Sequence, residues 1–431
     1  MVLGSASILI SAYLLLFLAA SSLKFLIFAV LNRQKLMRLY SNTVKGVVNA
    51  IEEIFYDQQY ADKVIERTLK SNKKWGARDR GFIAESVYEM VRWWRLINEV
   101  SPSEDLYHLF GTYWLLQGHH LPPWEEFEGV HVNAVKRKYE DLTSRAALQS
   151  IPDWLDEMGA ELLGEEWDDE INALNEQAQV VLRANTLKTT REALMNRLQE
   201  DGVETYAPKG YPDALVLAKR QNIFRNPAFK EGLYEIQDAS SQLVAQALGV
   251  EPGMRVIDAC AGAGGKSLHL ATLMGDKGRV LSMDIEGWKL KNTKLRARRN
   301  GISIIETRTI EDNKTIKRLK ASADRLLLDV PCSGLGVLRR NPDTKWKLSP
   351  ESIANVQLIQ QDILQNYCSM VKPGGIMVYA TCSILPTENQ RQVEKFLESE
   401  KGQDFTFLDD QKVLAHESGF DGFYIARLER K

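Results

Sequence analysis

Two short segments carry residues with obvious chemistry. In LLLDVPCSGLGVLRRNPDTKWK, Asp329, Pro331 and Cys332 directly follow an aliphatic run, and in VYATCSILPTENQ, Thr381, Cys382 and Ser383 do the same. A third segment, DACAGAGGKSLHL over residues 258–270, is a glycine turn ending in GGKS. A phosphate-cradling loop of the form G-x-x-x-x-G-K-[ST] needs its first glycine at position 260, which is Cys260. A dinucleotide turn needs G-x-G-x-x-G, and Gly262, Ala263, Gly264 and Gly265 break that spacing. Asp258 ahead of the turn repels phosphate yet accepts hydrogen bonds from an amine, and Asp284, which ends the next strand-like run GRVLSMD, is placed to take ribose hydroxyls. A nucleoside bearing an amino acid satisfies both acids, and S-adenosylmethionine is such a molecule.

A methyl donor beside two thiols points to carbon methylation of a pyrimidine. The ring C5 is a poor nucleophile. If a thiolate adds to C6, C5 gains enamine character and can attack a methyl group; a base then removes the C5 proton and the thiol leaves. One of the two cysteines is the expected nucleophile, with Asp329 holding and protonating the ring near N3. The (D/N)PP-aromatic turn that accompanies methylation of exocyclic amines is replaced here by DVPC. Cys260 reads as a loop-packing residue beside the donor, and Cys368, near Ile363, Leu364, Tyr367 and Met370, as a small buried hydrophobe. None of the four cysteines has CxxC or Cys/His spacing, so no metal site and no disulfide framework is expected, and reduced thiols suit a cytoplasmic compartment.

The elements that must position these residues begin near residue 250, where strand and helix patterns alternate: MRVIDA, a helix from Lys266, GRVLSMD, a basic helix from Glu286 to Asn300, SIIETRT, RLLLDV, a long helix and GIMVYAT. This alternation over residues 250–431 predicts a parallel, doubly wound α/β sheet with helices on both faces. Ligands of such sheets sit outside the carboxyl ends of the strands, so Cys332 and Cys382, 50 residues apart, are expected at the same edge as the glycine turn. The long helix has Ser349 as its cap and Pro350 in its first turn, with Lys372, Pro373, Gly374 and Gly375 expected to stop it.

Upstream, residues 151–249 read as a small α+β domain, with VVLRANTLK and DALVLA as strands and REALMNRLQEDG as a helix closed by Gly202. Residues 37–150 are helical throughout; Phe82, Val87, Val91 and Trp94 recur near the helical period, and Trp93 and Trp94 read as core rather than base-stacking residues. Residues 1–36 are anomalous. Val2 to Leu23 has no charge and is long enough to span a bilayer, while Lys24, Arg33, Lys35 and Arg38 would keep the body of the chain in the cytoplasm. Met37 is an alternative start, which leaves the segment outside the protein.

Charge is uneven along the chain. The net charge is −2, yet Arg255 to Lys347 holds 20 Lys and Arg against 10 Asp and Glu. Such asymmetry suits either one part that meets a polyanion or a merely soluble charged surface.

The paired PCSG and TCS motifs, with DACAGAGGKSLHLA, SMDIEGWKL, the Asp312 loop and DGFYIARL, make the chain from Val180 to Leu428 resemble the RsmB/NOP family of RNA cytosine-C5 methyltransferases. The resemblance implies a Rossmann-like class I S-adenosylmethionine-dependent methyltransferase core, a small RNA-contacting domain carrying VLRANTLK and YEIQDASSQLVAQAL, and a helical domain similar to the NusB-like domain of bacterial members. It implies that Cys382 is the covalent nucleophile and that Cys332 assists product release. Cys260, Ala261, Gly262, Ala263, Gly264, Gly265 and Lys266 would line the methionine moiety, Asp284 the ribose, Asp312 the adenine side and Asp329 the methyl and target base. Ala263 departs from the family pattern, which has proline there and a stiffer turn. The substrate implied is ribosomal RNA of the small subunit, with transfer RNA as the alternative, and the protein is expected to act as a monomer. RNA phosphates would then account for the basic residues Lys289, Lys291, Lys294, Arg296, Arg298 and Arg299, with Arg339, Arg340, Lys345 and Lys347. The cytosine must leave its stack to reach a thiol, which favours unpaired RNA. Two other classes compete: a P-loop-like nucleotide hydrolase, and a non-catalytic RNA-binding protein that keeps this scaffold.

Overall fold

A computed structural model describes residues 38–431. The apolar stretch Val2–Leu23 and the alternative start at Met37 lie outside the described residues. Among those described, no helix is long and apolar enough to cross a membrane. They form two compact units, one ending at Asp153 and the other running from Trp154 to Lys431.

The first unit is helical. Its opening helix Ser41–Phe55 buries Val44, Val47, Val48, Ile51 and Ile54, the spacing that puts side chains on one face of a 3.6-residue repeat. Helix Ala77–Arg92 buries Ile83, Val87, Met90 and Val91. Phe82 lies beside that stripe, edge-on to Phe110 and Trp114. Trp94 stacks on Phe55 with ring centroids 3.8 Å apart, so its ring is used in packing.

The second unit holds two sheets. The smaller is antiparallel, ordered β2-β3-β1-β4, from β1 (Val181–Ala184), β2 (Thr205–Tyr206), β3 (Ala214–Leu217) and β4 (Tyr234–Ile236). Thr190 caps the helix Arg191–Glu200 that packs on it by accepting the Ala193 amide proton. The larger sheet runs β10-β11-β9-β8-β5-β6-β7. Its strands are β5 (Arg255–Asp258), β6 (Arg279–Asp284), β7 (Ile305–Thr309), β8 (Ala323–Asp329), β9 (Val371–Thr381), β10 (Phe405–Val413) and β11 (Phe423–Arg430). The five strands β5 to β9 pair in parallel, as expected of a Rossmann-like core. β10 and β11 add an antiparallel edge that the alternating pattern did not reveal.

Both faces of this sheet are covered. Ile257, Leu326 and Leu328 belong to one core, and Val256, Leu327 and Val378 to the other. That is why β8 reads RLLLD without polar alternation. The long helix ends earlier than its stop residues suggest: it spans Pro350–Tyr367, a short 3-10 turn follows, and Lys372 to Gly375 fall within β9. Tyr367, Cys368 and Met370 bury there instead of continuing outward.

The glycine turn leads into helix Gly265–Leu273 through Gly264, whose φ of 82° is left-handed. A side chain at Gly264 would meet Thr293 atoms at 2.5 Å. Gly264→Ala should therefore lower unfolding free energy by about 3 kcal/mol, the sum of left-handed strain and overpacking, measured as a reduced urea midpoint; an unchanged midpoint would show that the turn tolerates a Cβ.

Candidate active site

Four neighbouring parallel strands each end in a polar residue: Asp258 on β5, Asp284 on β6, Asp329 on β8 and Thr381 on β9. Because parallel strands share a direction, these ends lie at one edge of the sheet. Cys332 and Cys382 follow β8 and β9 at that edge, with their sulfurs 3.3 Å apart.

The contact is held by one buried carboxylate. Glu388 is fully buried; its Oε2 accepts from the Ser333 amide at 2.7 Å and from Gln360 Nε2 at 3.0 Å, and its Oε1 accepts from Ser383 Oγ at 2.6 Å and also from Ser333 Oγ. Each reactive cysteine is thus followed by a serine bound to the same side chain. The neighbouring Asn389 donates to the Ser383 carbonyl at 2.9 Å and accepts from Thr381 Oγ1. Tyr379 Oη donates to the Glu388 carbonyl at 2.6 Å, and the Gly336 amide donates to the Cys382 carbonyl at 2.9 Å. Glu388, Ser333 and Asn389 were not singled out from the sequence. The signal available was the repetition of Cys-Ser in both motifs, with Glu-Asn five residues after the second serine.

The hydrogen bond with Cys382, followed by burial, pushes Cys332 well above the usual thiol range. Cys332 keeps its proton and can donate it towards Cys382 Sγ. Lys266 Nζ is bonded to Asp329 Oδ2 at 2.6 Å and lies 5.3 Å from the centre of the Phe423 ring. Burial works against the charge on Lys266, but Asp329 outweighs it, with Cys382 adding to the effect, and the ammonium is held above its ordinary range. Burial and the charges of Asp258, Asp329 and Asp284 push the Cys260 thiol well up.

In the glycine turn, Asp284 Oδ2 accepts the Gly262 amide at 2.8 Å and Oδ1 the Glu286 amide at 2.8 Å, while the Ala261 amide donates to the Met283 carbonyl. Asp258 is fully buried and its Oδ2 accepts from Ser267 Oγ at 2.6 Å. Its Oδ1 has no hydrogen-bonded partner. Burial raises Asp258 to about 7, against the opposing influence of Ser267 and the Cys260 amide. An orphaned buried acceptor beside a left-handed glycine turn fits a ligand amine. Asp312 is exposed and caps the short helix Asn313–Lys317 by accepting the Thr315 amide at 3.1 Å. Among the described residues, no group of three His, Cys, Asp or Glu is placed to hold a metal ion.

The basic residues divide sharply. Lys291, Lys294 and Arg298 are exposed, and Lys289 pairs with Glu286 at 3.0 Å. Arg296 and Arg299 both turn to Glu235. Arg339, Arg340 and Lys345, expected to meet phosphates, are bonded to groups inside the protein. Arg339 is 5% exposed and spends its guanidinium on the carbonyls of Ala173, Gly419 and Phe420; Lys345 is 1% exposed and bonds Asn175. Arg340 bridges the buried Asp238 and Asp421 at 2.7 and 2.6 Å. These three cations satisfy buried acceptors, which a side chain reaching into solvent could not do.

Comparison with known proteins bears on this geometry. Residues 245–429 match the family described as 16S rRNA methyltransferase RsmB/F, and residues 151–224 match the ferredoxin-like domain of RsmF/B-like methyltransferases. The probable ribosomal RNA small subunit methyltransferase B of Synechocystis sp. is 37% identical over 300 residues, covering 65% of this chain and 67% of its own. Its counterpart in Bacillus subtilis is 35% identical over 310 residues, covering 68% and 69%. The chain belongs to the RsmB/NOP family of RNA methyltransferases. A methyltransferase homolog protein from Pyrococcus horikoshii shares the family's fold, with a TM-score of 0.59, 26% identity, and coverage of 66% of this chain and 97% of that one.

Removing the carboxylate at 388 leaves one amide, two hydroxyls and a side-chain amide without their acceptor. Glu388→Ala should cost about 3 kcal/mol or more, read by urea unfolding, and Glu388→Gln, which keeps one oxygen, should cost less; equal stability of all three forms would show that the loops are held by something else.

Proposed function

We propose that the protein methylates C5 of a cytosine in RNA, with S-adenosylmethionine as donor, Cys382 as the covalent nucleophile and Cys332 as the residue that assists release. The observation carrying this reading is the 3.3 Å approach of the two sulfurs at the strand edge that also bears the glycine turn. The donor's ammonium would meet the unpartnered Oδ1 of Asp258, its ribose Asp284 and its adenine the side of Asp312. Cys260, Ala261, Gly262, Ala263, Gly264, Gly265 and Lys266 would surround the methionine moiety. When bound, S-adenosylmethionine supplies an electrophilic methyl group.

The chain's own residues do the rest. Cys382 loses its thiol proton to water and its Sγ adds to C6 of the cytosine, opening the C5–C6 double bond, while N3 takes up the proton that Lys266 Nζ shares with Asp329 Oδ2. With N3 protonated, the Asp329 carboxylate stabilises the ring while C5 is nucleophilic. After C5 carries the methyl group, its proton passes to water, the freed electron pair restores the C5–C6 double bond as the C6–sulfur bond breaks, and N3 returns its proton to the Lys266–Asp329 pair. The Cys332 S–H, kept protonated beside Cys382, hydrogen-bonds the departing sulfur. Both thiols must stay reduced, which supports a cytoplasmic enzyme.

The substrate reading is small-subunit ribosomal RNA, supported by the names of the Synechocystis and Bacillus subtilis relatives. The exposed Lys291, Lys294 and Arg298 on helix Gly287–Asn300 would contribute phosphate affinity without sequence information. A nucleotide hydrolase is disfavoured, because the lysine that a P-loop would aim at phosphate is bonded to Asp329. Bisulfite sequencing of ribosomal and transfer RNA from cells lacking the gene tests the substrate: a cytosine that loses protection in ribosomal RNA supports this reading, and one lost only in transfer RNA replaces it.

Two further outcomes are expected. RNA substituted with 5-azacytidine should trap the wild type in a denaturant-resistant complex, Cys382→Ala should give none, and Cys332→Ala should accumulate complex on unsubstituted RNA; a wild type that forms no complex would leave the scaffold reading. Separately, Asp258 must lose a proton to receive an ammonium, so affinity for S-adenosylhomocysteine should rise with pH and level off above about 7. Below that it should weaken by up to about tenfold per pH unit, measured by calorimetry. Asp258→Asn should flatten the profile; an unchanged profile in that variant would assign the proton elsewhere.

A further inference from the structure

The glycine turn has two left-handed residues, Gly262 and Gly264, and so little stiffness of its own. Two of its carbonyls are nevertheless held by arginine side chains. Arg296 Nη1 donates to the Ala263 carbonyl at 2.7 Å, and Arg183 Nη1 donates to the Gly265 carbonyl at 2.8 Å. Arg183 belongs to β1 of the small sheet and is 2% exposed. Arg296 belongs to helix Gly287–Asn300, and its other nitrogens donate to Glu235 Oε2 at 2.9 and 3.2 Å. Glu235 lies on β4 of the same small sheet, 3% exposed, and also accepts from Arg299 and Asn300.

The contact around Glu235 is tight. Lys188 Nζ donates to the Arg299 carbonyl at 2.8 Å and Asn185 Nδ2 to the Asn300 carbonyl at 2.9 Å. A Cβ at Gly232 would stand 2.1 Å from the Arg299 carbonyl oxygen. The small sheet therefore grips the end of helix Gly287–Asn300, and that helix supports the turn through Arg296 and through Thr293 against Gly264.

We propose that Glu235 and Arg183 are positioning residues for the methyl-donor turn, so that the small domain helps set cofactor affinity in addition to any contact it makes with RNA. This rests on the reading of the turn as the donor site. Glu235 fixes Arg296, which fixes the Ala263 carbonyl, and Arg183 fixes the next carbonyl but one. With Glu235 neutralised, Arg296 and Arg299 lose their shared partner close to the buried Arg183, and like charges push Arg296 off the turn.

The test uses the full chain with Glu235→Gln and Arg296→Met made separately. Arg296→Met leaves the Glu235–Arg299 pair in place, so it tests the turn contact even if Glu235→Gln fails to fold. Calorimetric titration with S-adenosylhomocysteine should show Kd weakened about tenfold in each folded variant, as expected for the loss of one charge-assisted bond. The KM for S-adenosylmethionine should rise in parallel while kcat at saturating donor stays within about twofold. A double variant should be little worse than either single, since both changes break one chain of contacts. Wild-type Kd in folded Arg296→Met overturns the proposal. If the wild type itself does not bind S-adenosylhomocysteine, the donor-site reading falls and this inference falls with it.

Discussion

The site depends on a carboxylate that takes no part in the proposed chemistry. Glu388 gathers Ser333, Ser383 and Gln360 around two oxygens, and so joins the loop after β8 to the loop after β9. Burying a carboxylate is costly unless its lone pairs are used, and here both oxygens accept from at least two donors. The exchange is favourable because each donor would otherwise be buried unpaired as well. The result is two sulfurs at 3.3 Å, on the strand edge that also carries the bonded Lys266 and Asp329.

The same logic organises the second half of the site. The turn needs glycines so that backbone can approach a ligand, and that freedom must be taken back elsewhere. Arg183, Glu235 and Arg296 do so from the small sheet, and Thr293 does so by filling the space a side chain at Gly264 would need. Cations that a surface reading assigns to RNA are in this way diverted to internal work. Arg339, Arg340 and Lys345 show it most clearly, because each is tied to carbonyls, carboxylates or an amide inside the protein.

Much of this was legible in the residues. Strand period and strand-to-helix alternation located β5, β6, β8 and β9, and the topology of parallel strands was enough to bring Cys332 and Cys382 to one edge. What could not be read was pairing that depends on three dimensions. β11 returns antiparallel to β10 after only the short helix Ala415–Ser418, so no full helical crossover separates the two strands. The end of helix Pro350–Tyr367 was placed too late because Pro373, Gly374 and Gly375, normally breakers, sit at the start of a strand beside the sheet's register shift. Side-chain partners were least legible: charge alone does not separate Arg298, which is exposed, from Arg299, one residue on, which bonds Glu235.

The central claim is that Glu388 sets the two thiols in one cleft with Cys382 as the attacking sulfur. It is tested most directly by reacting the wild-type protein with RNA containing 5-fluorocytidine and S-adenosylmethionine, digesting protein and RNA, and locating the nucleotide mass by peptide sequencing. The account predicts the added mass on the peptide containing Cys382 alone. A nucleotide on the Cys332 peptide, or none on either while methyl groups still reach cytosine, would contradict it.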